Sequence, residues 1–197
     1  MTPVSLFTRW CTALILTLGA GMLHAASISV TPSASVVTEG DVFDVTIEGT
    51  DFTDGTIGGG FSLSWDASVL EVQSYTLTFV GDQTFGQAGT LDNVAGTLMN
   101  ADVTSLNGTA NAAFQIASIT FAAIGTGNTL LDLAIGTFPG GSPRVWADAT
   151  GFNDTNPLFY DGKVAVNPVP VPAAAWLFGS GLLGLGSLSR RKKSANA

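Results

Sequence analysis

Cysteine, histidine and positive charge are scarce in this chain, and each shortage closes off a class of chemistry. The single cysteine, Cys11, and the single histidine, His24, both fall within the first 25 residues. Beyond them no thiol is left for a disulfide framework, so the core must come from burial alone, which about 143 residues can supply. Ser-His-Asp and Cys-His catalysis and histidine-ligated zinc are excluded there on the same ground. Residues 26–168 keep only Arg144 and Lys163 against all 15 carboxylates of the chain, a formal −13. A surface that acidic repels nucleic acid and anionic lipid, and it suits a solvated, exported domain. Carboxylate chemistry is the one catalytic option left. Glu39, Glu48 and Glu71 are the only glutamates, and none stands in an acid/base motif. The expectation is a protein that is not an enzyme.

The two ends differ from this middle. Residues 1–25 have the layout of a secretory signal peptide. Arg9 precedes the apolar run from Trp10 to Leu18, and Leu23-His24-Ala25 leads to a cut between Ala25 and Ala26. That makes signal peptidase the first expected partner. At the other end, residues 169–197 carry three features in order. The proline motif is Val169-Pro170-Val171-Pro172-Ala173, an uncharged apolar run extends from Ala173 to Leu188, and Arg190, Arg191, Lys192 and Lys193 form a basic stop. As a helix, residues 173–188 would span roughly 24 Å at about 1.5 Å per residue. That is somewhat short of the roughly 30 Å hydrocarbon core, a gap that snorkelling and local thinning can close. The prolines fix the helix start, and the four cations predict a cytoplasmic C-terminus.

The tail resembles the C-terminal sorting signal of PEP-CTERM proteins, in the variant with Val-Pro-x-Pro-Ala in place of Pro-Glu-Pro. The resemblance implies processing near Pro170 and Pro172 by an exosortase, a membrane-embedded transpeptidase-like enzyme. The helix would then hold the protein at the membrane only until that step.

Between the ends, runs of β-branched and apolar residues alternate with Gly, Asn, Asp and Thr clusters and no long helical period intervenes, so residues 26–168 are expected to be all-β. In Val42–Glu48 the pattern turns Phe43, Val45 and Ile47 inward. The stretch Gly58-Gly59-Gly60 is taken as flexible. After it, Phe61, Leu63 and Trp65 share one face. Further strands are expected at Ile28–Val30, Val69–Val72, Tyr75–Phe79, Gly96–Val103, Ala113–Ile124, Leu130–Ala134, Arg144–Trp146 and Lys163–Val166. Eight or nine short strands favour a β-sandwich.

Two segments of this domain, Thr38-Glu-Gly-Asp-Val-Phe-Asp-Val-Thr-Ile47 and Gly60-Phe-Ser-Leu-Ser-Trp-Asp-Ala-Ser-Val-Leu-Glu-Val72, resemble the cohesin domains of cellulosome scaffoldins, with Trp65 where that pattern has Tyr. Ala117-Ser-Ile-Thr-Phe121 resembles a later strand of the pattern. Related carbohydrate-binding modules share part of it. The resemblance implies a jelly-roll sandwich in which Asp66–Leu70 tightly links two strands.

Two groups of residues are candidates for binding. Asp51, Asp54 and Asp154 lie in oxygen-rich loops that would suit calcium, although Asp, Asn and Gly also form ordinary turns; no other cofactor is expected. Trp146 and Tyr160, beside late loops, are candidate aromatics for stacking on sugar rings. The combined expectation is an exported, exosortase-processed protein of the cell surface or extracellular matrix. Its sandwich would work by binding in an exopolysaccharide or biofilm setting. The alternatives are a carbohydrate-binding module acting directly on polysaccharide and a cohesin-type receptor for a dockerin-bearing protein.

Overall fold

A computed structural model describes residues 25–79, 86–105, 110–170 and 177–183. Eleven strands run in order: β1 (Ser27–Pro32), β2 (Val36–Thr38), β3 (Val42–Ser64), β4 (Leu70–Leu77), β5 (Thr90–Asp92), β6 (Thr97–Thr104), β7 (Ala110–Ala123), β8 (Gly127–Ile135), β9 (Ala147–Asp148), β10 (Leu158–Tyr160) and β11 (Gly162–Asn167). Four short strands, β2, β5, β9 and β10, have no counterpart among the expected ones, because two or three residues cannot show an alternation.

β3 organises the molecule. Its first half pairs with β1 on one side and β7 on the other, as in Val45↔Pro32 and Val45↔Ile119. Its second half pairs instead with β6 and β8, as in Leu63↔Leu98 and Leu63↔Leu133. One strand therefore runs through both layers of a single hydrogen-bonded network, β10-β1-β3-β7-β4 and β5-β6-β3-β8-β11-β2, with β9 paired to β3 at Thr56 and Gly58; each layer is called a sheet below. It changes sheet across register shifts between Gly49 and Thr56, where Asp51 (φ 61°) and Gly55 (φ 69°) take left-handed backbone. Such bulges bend a strand and sharpen its twist.

The period-2 reading holds where it is strongest. Phe43, Val45 and Ile47 from the first sheet and Phe61, Leu63 and Trp65 from the second are all buried, as are Ile119, Phe121 and Ala123. Trp65 meets Phe121 edge-on at 5.2 Å and donates its indole N–H to the Leu70 carbonyl at 3.0 Å. The link from Asp66 to Leu70 is tight, as the cohesin resemblance implies. The Asp66 carbonyl accepts from the N–H groups of Val69 and Leu70, both at 3.0 Å, and its carboxylate accepts from Ser68 N–H at 2.8 Å and Ser68 Oγ at 2.6 Å. Those Ser68 bonds hold the Asp66 carboxyl below the usual carboxylate range.

Three expectations need correction. First, Gly58–Gly60 is not a flexible stretch but part of β3. A Cβ at Gly59 would sit 2.6 Å from Trp146 Cγ, and one at Gly60 would sit 2.6 Å from Arg144 Cβ. The glycines clear a trough in which two large side chains lie across the backbone. Second, Arg144–Trp146 forms no strand; only Ala147 and Asp148 pair, with Gly58 and Thr56. Third, Val69–Val72 and Tyr75–Phe79 are not two strands but the single β4, which carries a bulge between Val72 and Ser74.

The ends are described only in part. Residues 1–24, which hold the expected signal helix, lie outside the described residues. Of 173–188 only 177–183 are described; they are helical with exposed side chains. Among the described residues no helix is long and apolar enough to cross a membrane, so the fold gives no support to the expected transmembrane helix. Val169 and Pro170 are exposed, whereas Val171, Pro172, Ala173 and the basic stop at 190–193 fall outside the description.

Candidate binding surfaces

The chain enters and leaves the sandwich at opposite poles. At the entry pole Ala25 is exposed, Ala26 accepts a hydrogen bond from Leu158 N–H at 2.9 Å, and β1 starts one residue later. A cut between Ala25 and Ala26 would leave every ladder bond in place. At the exit pole the Asn167 carbonyl accepts from Glu39 N–H at 2.9 Å, and Asn167, Pro168, Val169 and Pro170 are exposed.

The entry pole holds a groove of about 420 Å³ that brings together all three candidate calcium ligands, Asp51, Asp54 and Asp154, with Asp148 and Asn153 beside them. Residues 51–55 arrive from the sheet change of β3 and residues 148–155 from the loop after β9, so distant sequence meets here. Among the described residues no three Asp, Glu, His or Cys side chains are placed to hold an ion. Asp148 is already engaged. Its carboxylate accepts from Asn153 Nδ2 at 2.6 Å and Thr150 Oγ1 at 2.6 Å, and also from the backbone N–H groups of Thr150 and Phe152. These bonds, that from the Asn153 side chain foremost, hold its carboxyl far below the usual carboxylate range.

The two candidate aromatics have opposite fates. Tyr160 is 53% exposed on β10, level with Ser29 of β1. Trp146 is 0% exposed and cannot stack on a sugar ring. Its indole N–H donates to the Gly60 carbonyl at 3.2 Å, and its ring lies 5.7 Å from Phe52 and 6.4 Å from both Phe79 and Phe114. The sequence places it at the end of an expected strand beside late loops, and the buried trough at Gly59 leaves no local signal there. The most exposed aromatic of the late loops is Phe152, at 91%.

Sequence reasoning missed the buried ion pair. Arg144 Nη1 donates to Asp102 Oδ2 at 3.0 Å, with both side chains nearly inaccessible. Its Nη2 donates to Gln87 Oε1 at 3.0 Å and its Nε to the Thr137 carbonyl at 3.1 Å, and the Phe138 ring centroid lies 4.5 Å from the guanidinium carbon. With Arg144 consumed, Lys163 is the one exposed cation among the described residues of the domain. The near absence of basic residues was a signal that each had a particular place.

The outer faces of the two sheets differ in chemistry. On the first sheet Asp44, Thr46, Glu48, Ser118 and Thr120 point outward; Asp44 accepts from Thr120 Oγ1 at 2.7 Å. On the second sheet the centre is small, with Ser62, Ser64 and Ala134, and around it stand the exposed apolar side chains Val36, Met99 and Leu130. Leu130 and Lys163 border a groove of about 410 Å³ across β8 and β11.

No family model matches the sequence, and no curated protein matches it either. Solved structures do. A type I cohesin–dockerin complex from Clostridium thermocellum matches with a TM-score of 0.57 at 13% identity, over 72% of this chain and 99% of that one. The sixth cohesin of Acetivibrio cellulolyticus scaffoldin B, solved with a mutant Cel5 dockerin, matches with a TM-score of 0.58 at 15% identity, over 73% and 100%. A non-cellulosomal cohesin from the hyperthermophilic archaeon Archaeoglobus fulgidus matches with a TM-score of 0.51 at 14% identity, over 77% and 96%. At such identities the likeness shows the fold, and the fold is a cohesin-like β-sandwich.

Proposed function

We propose that residues 26–168 form a non-enzymatic, exported receptor module of cohesin type, which binds a protein partner rather than transforming a substrate. The observation that carries this reading is the cohesin-like sandwich itself, whose solved neighbours include cohesins held by dockerins. The second sheet's outer face suits a protein partner better than the first. It offers a centre of small residues, with Asp132 level with Ser64, and Val36, Met99 and Leu130 to be buried, as apolar anchors are at protein interfaces. The test is capture of partners from the organism's secreted proteins, followed by titration of the recovered partner against Leu130→Asp. Binding by the native domain that Leu130→Asp abolishes, with the fold intact, supports the reading. Unchanged binding moves the interface elsewhere, and no partner at all overturns it.

The tail completes the proposal. Export through residues 1–25, parking by 173–188 and exosortase processing near Pro170 and Pro172 would place the module at the cell surface or in an extracellular matrix, in an exopolysaccharide or biofilm setting. Exposure of Asn167–Pro170 supports access by a processing enzyme. Deletion of 169–197 that leaves localisation unchanged would overturn this part alone.

Direct glycan binding is the second reading, favoured by exposed Tyr160 beside hydroxyl-bearing Ser27 and Ser29. Affinity electrophoresis on polysaccharides with Tyr160→Ala separates the two; no retardation on any glycan removes it.

A further inference from the structure

A hollow of about 290 Å³ opens on the second sheet's side of the sandwich, lined by Gln87, Thr90, Asn100, Thr137, Pro139 and Arg144. A bulge places Asn100 there. β6 carries one extra residue where the pair Phe61↔Ala101 gives way to Leu63↔Leu98, and Asn100 within it takes left-handed backbone at φ 60°. Bulges re-aim side chains, and positive φ is uncommon away from glycine. The bulge is held at both ends. Ser62 Oγ accepts from Asn100 N–H at 3.0 Å, while Asn100 Oδ1 accepts from Thr137 N–H at 2.8 Å and Thr137 Oγ1 at 3.1 Å.

These bonds dictate which end of each amide is free. The Thr137 N–H and the Arg144 guanidinium can only donate, so the side-chain oxygens of Asn100 and Gln87 must face them. Gln87 Oε1 is taken by Arg144 Nη2 at 3.0 Å. The side-chain N–H groups of both amides have no acceptor among the described residues. Arg144 makes one bond through each Nη and keeps the second N–H of each, on a side chain only 5% exposed. The amide oxygens and the Asp102 carboxylate are thus spent inside the protein, and the hollow presents donors.

Donors call for oxygen acceptors, and charge decides which kind. Asp102 neutralises Arg144, and the formal −13 over residues 26–168 repels an acid. That leaves a neutral, oxygen-rich group, with Pro139 as an apolar wall for ring C–H groups. The volume lies at the small end of ligand pockets, roughly 300–1,000 Å³, and suits a single ring.

We propose that this hollow binds one uncharged sugar residue, whose hydroxyl oxygens accept from Gln87, Asn100 and Arg144. The proposal rests on direct glycan binding and moves its site from Tyr160 on the first sheet to the second.

The experiment uses residues 26–168, which contain every strand and the whole core cluster. Gln87→Glu and Asn100→Asp keep each oxygen for its present partner and delete the free N–H groups; Asp also tolerates left-handed backbone. Affinity electrophoresis through dextran, galactomannan, arabinoxylan and alginate reads binding, and a thermal melt reads the fold. The native domain is expected to be retarded by at least one uncharged polymer and not by acidic alginate. Each variant is expected to keep the native melt and to bind about fivefold more weakly. Unchanged retardation in either variant, or retardation by alginate alone, overturns the proposal. If Tyr160→Ala then abolishes the retardation, direct glycan binding itself stands. No retardation of the native domain on any polymer overturns both. Should a variant unfold, NMR titration of the native domain with the retarding glycan carries the test: side-chain amide signals of Gln87 and Asn100 that stay in place overturn it.

Discussion

At the scale of single residues, the largest effects belong to groups whose partners are far away in sequence. Arg144 and Asp102 are a buried pair with the guanidinium further held by Gln87 and Thr137. Asp102→Ala is expected to cost about 3–5 kcal/mol, because it strands a buried cation. Replacing both partners by apolar residues of similar volume is expected to cost much less. Urea denaturation of the two variants checks the difference, and equal midpoints would contradict it. Asp148 makes a pH prediction. Its folded pKa is depressed, chiefly by Asn153 and then Thr150, so its contribution is present above the ordinary carboxylate value and lost as pH falls through the folded one. The 148–153 loop should therefore keep its order while ordinary carboxylates titrate near pH 4, and loosen only on further acidification. Amide shifts of Thr150 and Asn153 followed by NMR would show this; a midpoint near 4 would refute it.

At the scale of elements, alternation was legible wherever a strand buries one face. Phe43, Val45, Ile47, Phe61, Leu63 and Trp65 were assigned correctly because a half-buried strand imposes a period of two. The triple glycine was not, because glycine signals flexibility in sequence and close approach in structure with the same letter. Gly58 combines φ +117° with a backbone oxygen, that of Val103, only 1.6 Å from where a Cβ would be. Gly58→Ala is expected to destabilise by about 1–3 kcal/mol or more, through strain and overpacking together. A thermal melt close to native would show the stretch to be as yielding as its sequence implies. Short strands were missed for a related reason: three residues of β10 cannot show a period, and their pairing with β1 is set by register alone.

At the scale of the whole molecule, charge dominates. A formal −13 over residues 26–168 makes the folded state repel itself. Raising ionic strength from about 0.01 M to about 0.15 M shortens the screening length from about 30 Å to about 8 Å. The melting temperature is therefore expected to rise over that range in the absence of divalent ions. A flat or falling trend would mean that the carboxylates are spaced widely enough not to interact. The same charge weighs on the binding question, since it favours partners that bring cations or neutral surfaces to the domain and disfavours nucleic acid.

What the sequence determined by itself was composition and local pattern. The absence of histidine and cysteine beyond residue 25, the alternation of the long strands and the order of features in the tail are all properties of neighbouring letters, and the tight Asp66–Leu70 link is what the cohesin resemblance implied. The tertiary structure alone decided which distant segments meet. It gathered Asp51, Asp54 and Asp154 at one pole, buried Trp146 against Gly59, enclosed Arg144 with Asp102, and brought Gln87 and Asn100 to one hollow beside them. Each of these depends on β3 passing from one sheet to the other, which brings chain separated by tens of residues into contact. No local period carries that information, because periodicity records which face is buried and not what lies against it.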